Sequence, residues 1–301
     1  MVMTNDKNKE IIIMAGLHTN KNSNKGWQFK WTKEEDDLIL KYYQSNGYEK
    51  LLDLLPNRNK QGIQSRAFKL GVKYLSYNKE YFRNIDSPTK AYWLGFLYAD
   101  GYTTKDDRWG LEIKYDDKEH MNNLLNEIEY TGYPKERIRN NNKSCYFLIK
   151  NKVMTQSLIQ LGVVPNKTDI LMFPSTEILS KKYYPDFIRG FFDGDGCISY
   201  NYITKPRKDR KNKIYTRLSK EINIVCKSDK FIQKILDILN ENDIHLNWNI
   251  NRNHNNLNVI KTSSISEIEK FYNYIYKNSN SLNRLHRKYD KFLSLFEGRC
   301  A

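Results

Sequence analysis

At 301 residues, with 39% hydrophobic and 13% aromatic side chains, the chain has apolar material for at least one sizeable core and room for two domains, which excludes wholesale disorder. Lys and Arg number 50 against 35 Asp and Glu, a formal net charge of +15 that makes a polyanion the expected partner. Charge alone does not separate DNA, RNA and an acidic membrane surface.

Residues 1–26 are rich in Asn and Lys and lack sustained periodicity, the pattern of a flexible basic tail. Within them the apolar run Ile11–Leu17 is too short to span a bilayer, and Asn and Lys follow it instead of a small-residue cleavage site. The expectation is a soluble chain, not secreted and with no membrane partner, working in the cytoplasm or in the organellar or nuclear compartment that holds its target.

From Trp27 the pattern changes. Thr32 ahead of Lys33, Glu34 and Glu35 forms a capping box for a helix with Leu38, Ile39 and Tyr42 on one face. A second short helix is predicted over Tyr48–Leu55, ending at Pro56. A third is capped by Asn59, runs to Leu70 and stops at Gly71. Ile63, Ala67 and Leu70 form its inward stripe and leave Lys60, Gln61, Gln64, Ser65, Arg66 and Lys69 outward, side chains suited to phosphates and base edges in a major groove. Three short helices over residues 27–73, Trp27 and Trp31, and the stretch Leu55-Pro56-Asn57-Arg58 resemble a Myb/SANT-like helix-turn-helix module. The competing reading is a small helical domain that binds protein or merely packs. Residues 74–86, polar and aromatic without clear period, read as a linker.

Beyond it lies an internal repeat, residues 87–180 and 181–301. Its mark is a duplicated segment, Trp93-Leu94-Gly95-Phe96-Leu97-Tyr98-Ala99-Asp100-Gly101 and Ile188-Arg189-Gly190-Phe191-Phe192-Asp193-Gly194-Asp195-Gly196. Pro88 and Pro185 precede the two apolar helices. Strands are predicted at Leu111–Tyr115 and Ile222–Cys226, each followed by Asp and an amphipathic helix, Glu119–Ile128 and Lys230–Leu239. Further strands at Cys145–Ile149 and Asn256–Ile260 precede helices at Val153–Leu161 and Ser264–Tyr276. Two copies of one α+β unit follow.

Gly95 and Gly190 occupy helix interiors, where glycine costs roughly 1 kcal/mol against Ala. Close approach of another backbone compensates, so the two repeat helices are expected to pack together about a pseudo-twofold axis. Asp100 and Asp195 then fall at helix C-termini, where the macrodipole disfavours a carboxylate. At about 4 Å the pair would repel by about 4 kcal/mol at an effective dielectric of 20, which a divalent cation relieves. The oxygen-rich donor set favours Mg²⁺ (or Mn²⁺) over zinc. The four cysteines, Cys145, Cys197, Cys226 and Cys300, lack zinc-ligand spacing and fit a reducing compartment. No small-molecule cofactor is indicated.

At these residues the chain resembles the LAGLIDADG homing endonucleases of the single-chain, two-motif kind, over about Pro88–Phe296. The resemblance implies two αββαββα-type repeats forming a DNA-binding saddle, a monomer that cuts double-stranded DNA, and metals held by Asp100 and Asp195 together with Ala99 and Gly194 just before them. It also implies a supporting basic residue near each site, for which Lys167 and Lys288 are the best-matching positions. The first motif departs from the pattern with Tyr98 where the second has Asp193. Lys205, Arg207, Lys208, Arg210, Lys211 and Lys213, alternating with Tyr200, Tyr202 and Tyr215, lie where a DNA-contacting hairpin is expected. The rival functions are an RNA-splicing maturase, which would use the same fold without needing both aspartates, and a DNA-binding regulator that has lost cleavage.

Overall fold

The computed structural model describes residues 30–206, 214–251 and 257–297. The expected tail over 1–26, Trp27 and Asn256 lie outside the described residues.

Three helices come first: α1 (Lys33–Asn46), α2 (Glu49–Leu54) and α3 (Lys60–Lys69). The capping box forms, with the Thr32 hydroxyl accepting from the Glu35 amide at 3.2 Å and the Glu35 carboxylate accepting from the Thr32 amide at 2.9 Å. Asn59 caps α3 by accepting from the Gly62 amide at 2.8 Å. Ile39, Tyr43, Leu51, Leu55, Ile63 and Ala67 close a small core of their own, separate from the main one.

The stretch 74–86 is not a loose linker. It carries no regular element, yet Tyr81, Phe82 and Ile85 are buried in the main core. Its aromatic content, not its lack of period, is the part of the sequence that governs its placement, because burying one such ring contributes about 1.5–3 kcal/mol.

The first repeat runs α4 (Pro88–Ala99), β1 (Gly101–Thr103), β2 (Arg108–Lys114), α5 (Lys118–Glu127), β3 (Lys135–Arg139), β4 (Asn142–Lys150) and α6 (Lys152–Gln160). The second runs α7 (Tyr184–Asp195), β5 (Gly196–Pro206), β6 (Ile214–Cys226), α8 (Asp229–Glu241), β7 (Asn247–Asn251), β8 (Leu257–Thr262) and α9 (Ile265–Tyr276), followed by α10 (His286–Glu297). Each repeat builds a four-stranded antiparallel sheet, ordered β1-β2-β4-β3 and β5-β6-β8-β7. The architecture is therefore α+β, two like units after a small helical module. One difference breaks the likeness: β5 and β6 are 11 and 13 residues long, against 3 and 7 for β1 and β2.

At the centre α4 and α7 lie against each other. Every residue from Ala91 to Tyr98 is buried, as expected of a helix that is apolar on all sides. A β-carbon on Gly95 would overlap the carbonyl oxygen of Phe187 and stand 2.9 Å from its carbon; one on Gly190 would overlap the carbonyl oxygen of Tyr92, again 2.9 Å from its carbon. Gly95 and Gly190, like Tyr92 and Phe187, are separated by 95 residues, so the contacts are reciprocal about a local twofold axis.

Candidate active site

The two motif helices end side by side, and their acidic residues come together. Asp100 is the C-cap of α4, and Asp195 is the last residue of α7. A β-carbon on Gly194 would reach within 3.1 Å of Asp100 Oδ2, which shows how tightly the first carboxylate abuts the end of the second helix.

A lysine closes each helix end. Lys167, beside Asn166 in left-handed conformation (φ 56°), donates to the Ala99 carbonyl at 3.3 Å and to the Gly101 carbonyl. Lys288, on α10 and only 4% exposed, donates to the carbonyls of Phe192 at 2.7 Å, Gly194 at 3.1 Å and Gly196 at 2.5 Å. Ala99 and Gly101 correspond by the 95-residue offset to Gly194 and Gly196, so the lysines are structural counterparts. Each satisfies orphan carbonyls and sets positive charge at the negative end of a helix dipole. Neither is an ordinary solvated charge.

The four groups shift one another. Burial, and then the charge of Asp100, raise the Asp195 carboxyl to about 6, while Lys167 and Lys288 oppose the rise. Burial raises Asp100 as well, against Lys288 and Lys167. Burial lowers Lys288 to about 8, against the pull first of Asp193 and then of Asp100 and Asp195, and also lowers Lys167, against Asp195 and Asp100.

A stability consequence follows with a definite sign. Asp195 binds its proton more tightly folded, near 6, than at its ordinary 3.8, so between those values the folded chain holds more protons than the unfolded one. Its contribution to stability therefore falls as pH rises through that window, by on the order of 1–3 kcal/mol. Urea unfolding of the metal-free protein and of Asp195→Asn at a series of pH values should show the wild type losing stability relative to the variant from about pH 4 to about pH 6; parallel curves would refute it.

Asp193 serves another purpose. It is 1% exposed and accepts from the Tyr276 hydroxyl at 2.6 Å, the Tyr92 hydroxyl at 2.9 Å and the Leu285 amide at 2.8 Å, tying α7 to α4, α9 and the approach to α10. Tyr98 in the first repeat reaches the Leu161 carbonyl at 2.6 Å instead. The Tyr92 hydroxyl also meets buried His120 at 2.8 Å, whose imidazole burial depresses to about 3. Sequence reading found neither Tyr92, one of many aromatics on a wholly apolar helix, nor His120, a lone histidine on amphipathic α5.

A cavity of about 190 Å³ opens beside Asp195, lined by Tyr98, Ala99, Lys167, Leu171 and Cys226 among others. The Cys226 thiol, pushed up to about 11 by burial, is a neighbour that cysteine spacing could not disclose. A larger cleft of about 650 Å³, between residues 172–184 and α8, contains none of the expected site residues. Among the described residues no group of three or more His, Cys, Asp or Glu side chains converges for a metal. Two carboxylates and the adjoining carbonyls are hard oxygen donors, and their mutual repulsion favours a hard divalent ion, so the residues fit such an ion provided water or a phosphate completes its shell.

The remaining expected contacts lie apart from this centre. On α3, Lys60, Gln61, Gln64 and Lys69 are exposed. Arg66 is engaged within the module, paired bidentately with Asp36 at 2.7 and 2.5 Å. Phe68, absent from the sequence-based set, is 83% exposed in the middle of the same face. Lys205 is exposed near the end of β5, and Arg207, Lys208, Arg210, Lys211 and Lys213 lie outside the described residues. No helix of the described residues is long and apolar enough to cross a membrane.

Comparison with known proteins addresses both halves. Residues 188–295 match the family model of the LAGLIDADG endonuclease, and residues 89–165 match that of the WhiA LAGLIDADG-like domain. No curated protein matches the chain. Among solved structures, the I-LtrWI LAGLIDADG homing endonuclease bound to target DNA is 14% identical over 73% of this chain and 91% of that one, with a TM-score of 0.45. The LAGLIDADG meganuclease I-CpaMI bound to uncleaved DNA is 12% identical over 71% and 92%, with a TM-score of 0.47. The LAGLIDADG homing endonuclease I-GzeII in complex with its DNA target is 13% identical over 71% and 92%, with a TM-score of 0.44.

Proposed function

We propose that the protein is a site-specific double-strand DNA endonuclease dependent on a divalent metal, Mg²⁺ or Mn²⁺. The observation that carries this reading is the approach of Asp100 and Asp195 at the ends of two reciprocally packed helices, one end closed by half-buried Lys167 and the other by buried Lys288. The match of residues 188–295 to an endonuclease family model supports it. Because both carboxylates come from one chain, a monomer suffices to act on both strands. Asp100 and Asp195, with the carbonyls of Ala99 and Gly194, would hold the metal. When bound it supplies an activated water and a counter-charge for the leaving oxygen.

The chain's own residues do the rest. Lys167 and Lys288 hold the helix ends in register and offset the carboxylates, so the metal site stays assembled without DNA. The two sheets serve as a saddle on the duplex, with Lys205 and its basic neighbours on phosphates and α3 adding contacts outside the saddle. The direct experiment is incubation of purified protein and Mg²⁺ with plasmid bearing the locus in which its gene is inserted; linear product is expected, and none in chelator. Binding without cleavage would favour a DNA-binding protein that has lost activity, a reading consistent with a first half that matches a model described only as LAGLIDADG-like.

Affinity should depend steeply on salt, falling on the order of a thousandfold between about 50 and about 200 mM if six or more phosphates are engaged. Removing residues 1–75 should weaken binding at least about tenfold, with little change in the rate at saturating enzyme. Filter binding and single-turnover cleavage separate the two, and unchanged affinity would assign the helical module to another task.

A further inference from the structure

We propose that the helical module and the first repeat form one rigid DNA-reading body, so that α3 addresses a stretch of duplex at a single fixed spacing from the stretch beneath the first repeat. The proposal rests on the DNA-binding reading above. What carries it is the way the chain between the two units is fastened.

Tyr74 belongs to the module: its ring stands edge-on to Tyr43 at 6.4 Å and lies over Gly47, where a β-carbon would come within 3.2 Å of the ring. Leu75 does too, its amide donating to the Gln44 carbonyl at 3.1 Å. The very next residue belongs to the repeat. The Ser76 amide donates to Thr131 Oγ1 at 3.0 Å, and the Ser76 carbonyl accepts from the Thr131 amide at 3.0 Å. Tyr77 then stacks edge-on to Tyr130 at 6.2 Å, and the Asn78 amide donates to the Ile128 carbonyl at 2.7 Å. Allegiance changes at the Leu75–Ser76 peptide bond, and no residue is left over to act as a tether. With no free residue between them, motion of one unit against the other is confined to the two backbone dihedrals that flank this bond, not spread over a flexible tether.

The face held in this way is built for a groove. Gln61, Gln64 and Phe68 occupy its middle and Lys60 and Lys69 its edges, all exposed. Duplex DNA turns once in about 10.5 base pairs, so a face fixed to its neighbour meets the groove at one phase only. Rigid linkage gives high effective concentration where geometry matches and almost none where it does not.

Two measurements test this. The full chain, in buffer free of divalent ions, is used to select duplexes from a randomised pool. Two conserved blocks at one spacing are expected, and inserting five base pairs between them should weaken binding as much as deleting residues 1–75 does. A variant with Gly-Ser-Gly-Ser inserted between Leu75 and Ser76 should tolerate that insertion and select several spacings. Separately, nitroxide labels at Asp53→Cys and Asn142→Cys, in a Cys197→Ser, Cys300→Ser background, should give a narrow distance distribution that broadens in the insertion variant. A broad distribution in the unmodified chain, or indifference to the added base pairs, overturns the proposal and leaves the DNA-binding reading standing. A narrow distribution with no sequence enriched overturns the DNA-binding reading itself and the fixed spacing with it.

Discussion

Asp100→Asn and Asp195→Asn should each reduce DNA cleavage by at least about a thousandfold while leaving affinity within about threefold of the wild type. Asparagine keeps the shape of the side chain and removes the charge that attracts a divalent ion, and a lost interaction of about 4 kcal/mol at the reacting centre accounts for about a thousandfold in rate. Affinity should be preserved because, on the proposed reading, it comes from phosphate contacts spread over a much larger surface. Both substitutions also relieve repulsion, since burial and the charge of Asp100 are what raise Asp195 to about 6. The metal-free variants should therefore melt above the wild type at neutral pH. The assay is single-turnover cleavage of a supercoiled plasmid with nicked and linear products resolved. Full cleavage by the double variant would eliminate the carboxylate pair as the reacting centre, and nicking by either single variant would show that each carboxylate serves one strand independently.

Gly95→Ala and Gly190→Ala should, unlike the aspartate substitutions, strongly destabilise the fold. A methyl group normally stabilises a helix interior by roughly 1 kcal/mol over glycine. Here it would overlap a backbone carbonyl of the facing helix, which cannot rotate away as a side chain could. Overpacking of this kind typically costs 1–3 kcal/mol, and the upper part of that range or beyond is expected, read as a fall in the urea midpoint. The twofold relation adds a sharper expectation. Once one β-carbon has pushed α4 and α7 apart, the second finds room already made, so the double variant should cost less than the sum of the singles. Strictly additive costs would mean that the two glycines do not share one interface. Separating the helices also separates Asp100 from Asp195, so cleavage should fall with stability.

The strands show what a single sequence discloses. Those read in advance correspond to β2, β4, β6 and β8, and these are the interior strands of the two sheets. Those given no expectation, β1, β3 and β7, are edges, and the fourth edge, β5, runs into the expected hairpin at Lys205. An interior strand buries one face and so must alternate, as Leu111 and Ile113 do; an edge strand is usually kept short, polar or charged to discourage wrong pairing, as β1, β3 and β7 are, whereas β5 is long and alternates over Ile198 and Tyr200. Lys135-Glu136-Arg137-Ile138-Arg139 is mostly exposed and has no apolar period to detect. Helices were plainer, because caps such as Thr32 and Asn59 are local chemistry written into adjacent residues. The same division runs through the site. Asp100, Asp195 and the two glycines were legible from duplication, whereas the acceptors of Lys167 and Lys288, the three donors to Asp193 and the engagement of Arg66 by Asp36 depend on residues that only folding makes neighbours.

The two lysines at the helix ends have a consequence for the life cycle of the molecule. The charges of Lys167 and Lys288 act on Asp100 and Asp195, and Asp193 adds a third carboxylate that pulls on Lys288, so the centre carries counter-ions of its own. If the centre takes a divalent ion, as proposed, its assembly and the loading of that ion are separate events. On that reading the polypeptide should be made and stored as a finished apoprotein, with ion supply governing when it reacts and not whether it folds.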